Sequence, residues 1–170
     1  MKDLSHILKE CSVKDIYYVN SGTVTYYKIP IYQRNYAWER DEISALIKDI
    51  YDSMVIDKPI YYIGTLVTFK RDENVFEVID GQQRLTSMYI LLKALYDAAK
   101  GVTVRIESEI EEVMFNRNCD EKYKLKLKPV KTDNEQLLLL IKDKIDEMDR
   151  NSNIYKNYIT FRDLIKRTIS

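Results

Sequence analysis

The densest chemistry in the chain lies in one run, Asp80-Gly81-Gln82-Gln83-Arg84. It follows Val75-Phe76-Glu77-Val78-Ile79, a β-branched and aromatic stretch, and precedes an apolar pattern at helical spacing. The run therefore sits where a strand gives way to a helix. A helix start exposes unpaired N–H groups and the positive end of a dipole, so it attracts anions before any side chain is counted. Gly81 lets the backbone bend sharply and come close to a ligand. Arg84 offers a planar fork suited to phosphate or carboxylate. Gln82 and Gln83 can each donate and accept. Asp80 could hold a magnesium ion through water, or orient an attacking water. The run is not a P-loop, because no Gly-rich stretch ending in Lys-Ser or Lys-Thr exists. The same string also suits a plain structural turn, with Asp80 capping the helix and the glutamines solvated. The string alone does not separate the two readings.

A second run, Ile29-Pro30-Ile31-Tyr32-Gln33-Arg34-Asn35-Tyr36-Ala37-Trp38, holds an arginine, amides, tyrosines and the only tryptophan. Tyr32, Tyr36 and Trp38 are expected to pack rather than stack on a ligand, since burial is the commoner use of aromatic rings. Gln33 and Arg34 are costly to bury without partners and are the better candidates for a pocket wall. Lys122, Lys124, Lys126, Lys128 and Lys131 could touch nucleic-acid phosphates. A solvated strand face is the commoner fate of such a run. Gly64 marks a bulge or a close backbone approach, with Thr65 beside it as a marginal pocket candidate.

Composition narrows the classes. The 170 residues suit one domain, or one domain and part of another. Lysine plus arginine balances aspartate plus glutamate at 27 each, so overall charge argues for neither nucleic acid nor membrane. Cys11 and Cys119 have no metal-ligand spacing and fit a reducing compartment. His6 is the only histidine, which excludes His-rich zinc sites and His-metal nuclease motifs within this chain; neither zinc nor haem is expected. No signal-peptide pattern opens the chain, and no apolar run approaches the ~20 residues of a membrane helix. The cytoplasm is the default address.

The elements that must hold the two runs are legible from periodicity. Leu4, Ile7 and Leu8 predict a short opening helix, and residues 23–29 a strand ending at Pro30. Ile43, Leu46, Ile47, Ile50 and Met54 line a helix closed by Asp57-Lys58-Pro59. Residues 63–69 and 75–79 read as a hairpin around Arg71-Asp72-Glu73-Asn74. Leu85, Met88, Tyr89, Leu92, Leu95 and Tyr96 predict a long helix stopping near Gly101. Ile106, Ile110, Val113 and Met114 predict another. Residues 124–128 alternate lysine with Leu125 and Leu127, a half-buried strand with a basic outer face. Thr132 and Glu135 have capping-box spacing ahead of a helix over 137–148, and Ile154, Tyr158, Phe161 and Ile165 give a last helix. The expectation is an α+β core over residues 1–101 carrying both runs. A mainly helical extension with one short strand, 102–170, is packed on it or begins a further domain.

Two motifs occur together and in order, Ile29-Pro30-x-Tyr32-Gln33-Arg34-x-Tyr36-x-Trp38 and Val78-Ile79-Asp80-Gly81-Gln82-Gln83-Arg84-Leu85-Thr86. They resemble the signatures of the domain of unknown function 262 family, the N-terminal domain of GmrSD-type restriction systems. Tyr62-Ile63-Gly64-Thr65 resembles the strand between them, and the likeness is strong over residues 27–95. The resemblance implies a ParB/sulfiredoxin-like fold: a small mixed sheet with packed helices. It implies nucleotide binding and hydrolysis at the Asp-Gly-Gln-Gln-Arg motif, and a role in bacterial defence against phage with modified DNA. By position, Asp80, Gln83 and Arg84 would be catalytic, with Asp80 a possible magnesium ligand. Gln33, Arg34, Gly81, Gln82 and Thr86 would bind the nucleotide. Gln82 stands where a sulfiredoxin-type reaction needs cysteine, so thiol chemistry is not expected.

Many members of that family continue into a nuclease domain with a His-Asn-His type motif. With His6 its only histidine, this chain has none and reads as the N-terminal part of a longer protein. The leading expectation is a magnesium-dependent, triphosphate-binding and hydrolysing module that regulates a nuclease domain or subunit. The alternative is a DNA-sensing module without enzymatic activity, favoured by the ParB relation and the lysine strand. A third is a scaffold that only mediates contacts, which two amides and a guanidinium in one turn do not require.

Overall fold

The computed structural model describes residues 10–17, 26–57, 60–72, 75–102, 104–116 and 124–169. In chain order the elements are α1 (Val13–Tyr17), β1 (Tyr26–Lys28), α2 (Arg40–Val55), β2 (Val67–Asp72), β3 (Val75–Asp80) and α3 (Gln82–Ala99). Then come α4 (Val104–Met114), β4 (Phe115–Asn116), β5 (Lys124–Leu125), β6 (Leu127–Lys128), α5 (Lys131–Ile141) and α6 (Asn153–Ile169), with a 3-10 turn at Ile145–Glu147. The expected opening helix around His6, the first residues of the 23–29 strand, Cys119 and Lys122 lie outside the described residues.

The four-stranded sheet runs β2-β3-β1-β6. β2 and β3 form the expected antiparallel hairpin, while β1 runs parallel to both β3 and β6. Val78 is fully buried towards the helices, whereas Ile79 and Asp80 come out to the surface. Mixed pairing with several packed helices makes the fold α+β.

The helix after β3, α3, buries Leu85, Tyr89, Ile90, Leu91 and Ala94 because it packs against both α4 and α6. Ile154, Tyr158, Phe161 and Ile165 of α6 close over it and reach α2 as well. Leu137 and Leu140 of α5 join the same apolar cluster as Tyr89 and Ile90. At the start of α2, Glu39 and Glu42 form a reciprocal capping box that fixes where the first loop ends.

Several boundaries differ from the expectation. The strand predicted from residue 63 begins at Val67 and runs on to Asp72. Gly64 lies at φ 129°, outside the extended region, so ladder pairing cannot start there. The helix expected over 137–148 ends at Ile141, where Asp143 takes a left-handed φ of 58° and the Lys144 N–H donates back to Leu139 O at 2.9 Å. That is the reversal by which helices commonly stop. The N-cap of α5 is Val130, so Thr132 and Glu135 form no capping box. The lysine strand is not one strand. It breaks at Lys126, with β5 pairing β4 in a second sheet and β6 pairing β1 in the first.

Lys126 is 5% exposed, so the expected basic outer face is interrupted by a buried cation. Its Nζ donates to Tyr17 O at 2.5 Å and Glu112 O at 2.7 Å, tying α1 to α4. Burial pushes its pKa down to about 8.

Candidate functional site

The junction between β3 and α3 is built on Gly81, the N-cap of α3, at φ 92° and ψ 7°. A Cβ there would sit 2.8 Å from Thr65 O, so both the left-handed backbone and the close approach call for glycine. Gly81 offers no capping side chain, and the first-turn N–H groups of α3 have no intrahelical partner. Asp80 is the last residue of β3 rather than the cap.

The two glutamines point to different places, as neighbours about 100° apart on a helix must. Gln82 donates from Nε2 to Gln33 Oε1 at 3.1 Å. Gln33 in turn donates from its own Nε2 to Ile79 O at 3.0 Å, so the first loop is pinned to the end of β3. A carbonyl can only accept, which fixes the orientation of the Gln33 amide. Gln83 is 6% exposed and uses both ends of its carboxamide on the same loop. Its Oε1 accepts from the Ala37 and Trp38 N–H groups at 2.7 and 3.2 Å, and its Nε2 donates to Asn35 O at 3.1 Å. Thr86 is buried beneath this first turn.

Arg84 is exposed and lies along the 62–66 segment. A Cβ on Gly64 would meet its Nε at 2.8 Å and its Cζ at 2.9 Å, so Gly64 is the floor on which the guanidinium rests. The neighbouring Thr65 shares a 2.7 Å hydrogen bond with the Tyr62 hydroxyl. Arg34 and Asp80 are exposed too. Among the described residues the side chains of Arg34, Asp80 and Arg84 make no hydrogen bond or ion pair. The structure thus joins Gln82 to Gln33 and Gln83 to residues 35–38 of the same loop, buries Thr86, and among the described residues makes no bond between Arg34, Asp80 and Arg84.

The aromatic residues of the first loop part company. Tyr36 is buried as expected, and burial raises its hydroxyl to about 12, partly offset by bonds to Ser87 and Asn157. Trp38 is half-buried against the core. Tyr32 departs from the packing expectation at 68% exposure. It leans over the open face of the sheet and donates to Glu77 Oε1 at 2.8 Å. Arg71 grips the same carboxylate through Nε and Nη2, each at 2.9 Å. The Arg71 bonds, then the Tyr32 hydroxyl, hold Glu77 down at about 2.

Sequence reasoning did not single out Glu77, Asp133 or Asn157, although each fixes part of the first loop. Asn157 had one readable signal: it interrupts the apolar stripe Ile154, Tyr158, Phe161 and Ile165, where a buried amide requires a partner. A cavity of about 450 Å³ lies away from the second motif, with Lys28, Lys128, Lys131 and Asn134 among its lining residues. Among the described residues no three His, Cys, Asp or Glu side chains gather where they could hold a metal ion. No described helix is long and apolar enough to cross a membrane.

No curated protein matches the chain. Residues 13–169 match the family of the GmrSD restriction endonuclease, N-terminal domain, a span that takes in the paired motifs, the sheet and every helix from α1 to α6. The chain therefore belongs to the GmrSD restriction endonuclease N-terminal domain family, modules of restriction systems.

Proposed function

We propose that this domain binds a nucleoside triphosphate at the start of α3 and hydrolyses it, regulating a nuclease partner of the restriction system. One observation carries the reading. Among the described residues the exposed side chains of Arg34, Asp80 and Arg84 have no partner; Asp80 and Arg84 flank the start of α3, and Arg34 follows Gln33, which bonds to Gln82. A purely structural turn has no use for such a set. Arg84 and the first-turn N–H groups of α3 would receive phosphate oxygens. Arg34 would close on the nucleotide from the loop, and Asp80 would orient the attacking water. Gln83 serves by holding the loop, since its Oε1 and one N–H are already used there. Magnesium bound with the triphosphate would neutralise charge on the transferring phosphoryl group. Asp80 would be its carboxylate on the protein side, a role in which this ion commonly takes one or two carboxylates beside phosphate oxygens.

Phosphate release with magnesium and a panel of triphosphates, paired with calorimetry, tests the proposal. Absence of binding to every triphosphate overturns it. Arg84→Ala removes a charge-assisted contact of about 1.5–3 kcal/mol, so affinity is expected to fall roughly ten- to hundredfold. Unchanged affinity in that variant moves the site elsewhere.

DNA sensing without turnover is the second reading. Lys28 and Lys128 are register partners on β1 and β6, and with Lys131 they line the 450 Å³ cavity. Like charges placed side by side favour an anionic occupant. This reading predicts steeply salt-dependent DNA binding that weakens when Lys28, Lys128 and Lys131 are neutralised. Binding insensitive to salt counts against it.

A further inference from the structure

The first loop has little structure of its own. Within residues 29–38 its one backbone bond is Gln33 N–H to Pro30 O at 3.0 Å. Its shape is therefore set from outside: β3 holds Tyr32 and Gln33, and three helices hold residues 35–38. From α3 comes Gln83, as described. From α5, Asp133 Oδ2 accepts the Tyr36 N–H at 2.7 Å, and Thr132 Oγ1 accepts from Asn35 Nδ2 at 3.3 Å. From α6, Asn157 donates to Trp38 O at 2.7 Å and to the Tyr36 hydroxyl at 2.9 Å, while Asn153 reaches Tyr36 O at 3.4 Å.

The direction of these bonds can be worked out. Trp38 O only accepts, so Asn157 must face it with Nδ2, and the second N–H of that amide goes to the Tyr36 hydroxyl. The Tyr36 hydroxyl shares a further hydrogen bond with Ser87 Oγ, 2.7 Å away. A chain of hydrogen bonds runs from α6 through the loop into α3. Asn157 is 1% exposed and its Oδ1 has no partner, so this amide is kept in an apolar stripe for its N–H groups.

We propose that Asn157 and Asp133 are positioning residues of the nucleotide site: they set residues 35–38 of the first loop from behind and thereby help keep Gln33 against Gln82, with Arg34 next to it in the chain. The proposal rests on the nucleotide reading above. It makes α5 and α6 the part of the molecule through which the site's geometry is controlled. Neither residue touches nucleotide. Asn157 lies behind Tyr36 and Trp38, and Asp133 bonds to backbone.

The test uses the full chain and its sole tryptophan, Trp38, as reporter. Asn157→Asp is isosteric but removes both N–H groups and sets a carboxylate against the Trp38 carbonyl. Asp133→Ala removes the acceptor for Tyr36, and Asp133→Asn keeps one. Trp38 emission, calorimetric affinity for magnesium triphosphates, and KM against kcat are read below the melting temperature of every variant. Expected are a shifted Trp38 emission and an affinity loss of fivefold or more in Asn157→Asp and Asp133→Ala, with KM raised more than kcat is lowered. Asp133→Asn should recover most of the wild-type affinity. Should Asn157→Asp fail to fold, the Asp133 pair decides alone, since Asp133 is only half-buried. Wild-type affinity and KM in Asp133→Ala, beside a wild type that binds nucleotide, overturn this inference and leave the nucleotide reading standing. A wild type that binds no triphosphate overturns both.

Discussion

Gln82 and Gln83 are adjacent, chemically identical and assigned to separate tasks by a single step of helix rotation. Gln82 is half-buried and touches one side chain, Gln33. Gln83 is buried and serves three backbone groups. Leucine at position 83 would leave the Ala37 and Trp38 N–H groups and the Asn35 carbonyl unpaired. A loss of about 1–3 kcal/mol is expected for Gln83→Leu in urea denaturation, against a few tenths for Gln82→Leu. Residue type made both glutamines visible as candidates, but not which of them faces outward, because that depends on where a loop from residues 35–38 comes to rest. Glu77 supplies a pH test. Its carboxyl is depressed, so its contribution to stability is complete above the ordinary carboxylate range and is lost as pH falls from about 4.5 towards 2. Glu77→Gln is expected to flatten the acid limb of a melting-temperature profile over that window.

Among the elements, the turn from β3 into α3 is the one whose geometry tolerates least change. Gly81→Ala would strain a left-handed residue and press a methyl onto the Thr65 carbonyl 2.8 Å away. Roughly 1–3 kcal/mol of destabilisation is expected, measured by thermal unfolding. Triphosphate affinity should fall with it, because α3 could no longer start at this place. The β2–β3 hairpin and α3 were legible in the sequence because alternation, turn residues and helical spacing are local patterns. The break at Lys126 was not. Lysine alternating with leucine reads as an exposed strand face until Tyr17 and Glu112 bring carbonyl groups to bear on the ammonium. The end of α5 was missed for a related reason: Leu137 to Met148 keeps an apolar rhythm, and the stop comes from a backbone reversal at Asp143.

At the scale of the whole molecule, both halves of the chain share one interior. β6 completes the sheet beside β1, and α6 covers α3. Leu137, Leu140 and Phe161 bury in the same cluster as Tyr89 and Ile90. One cooperative unfolding transition is therefore expected, with Trp38 fluorescence and far-UV circular dichroism coinciding along the denaturant axis. Separate midpoints for the two signals would show that the helical part melts by itself.

The clamp on Tyr36 also sets a clock. Its partners Asp133 and Asn157 lie 97 and 121 residues further along the chain. A ribosome adding roughly 5–20 residues per second needs on the order of 6–24 s to travel from one end of that contact to the other. From residue 86 until Asn157 is made, the nascent chain carries both motifs but not all the groups that hold the first loop in place. On the nucleotide reading, a half-made copy would carry the motifs without the anchors of the first loop until α6 emerges.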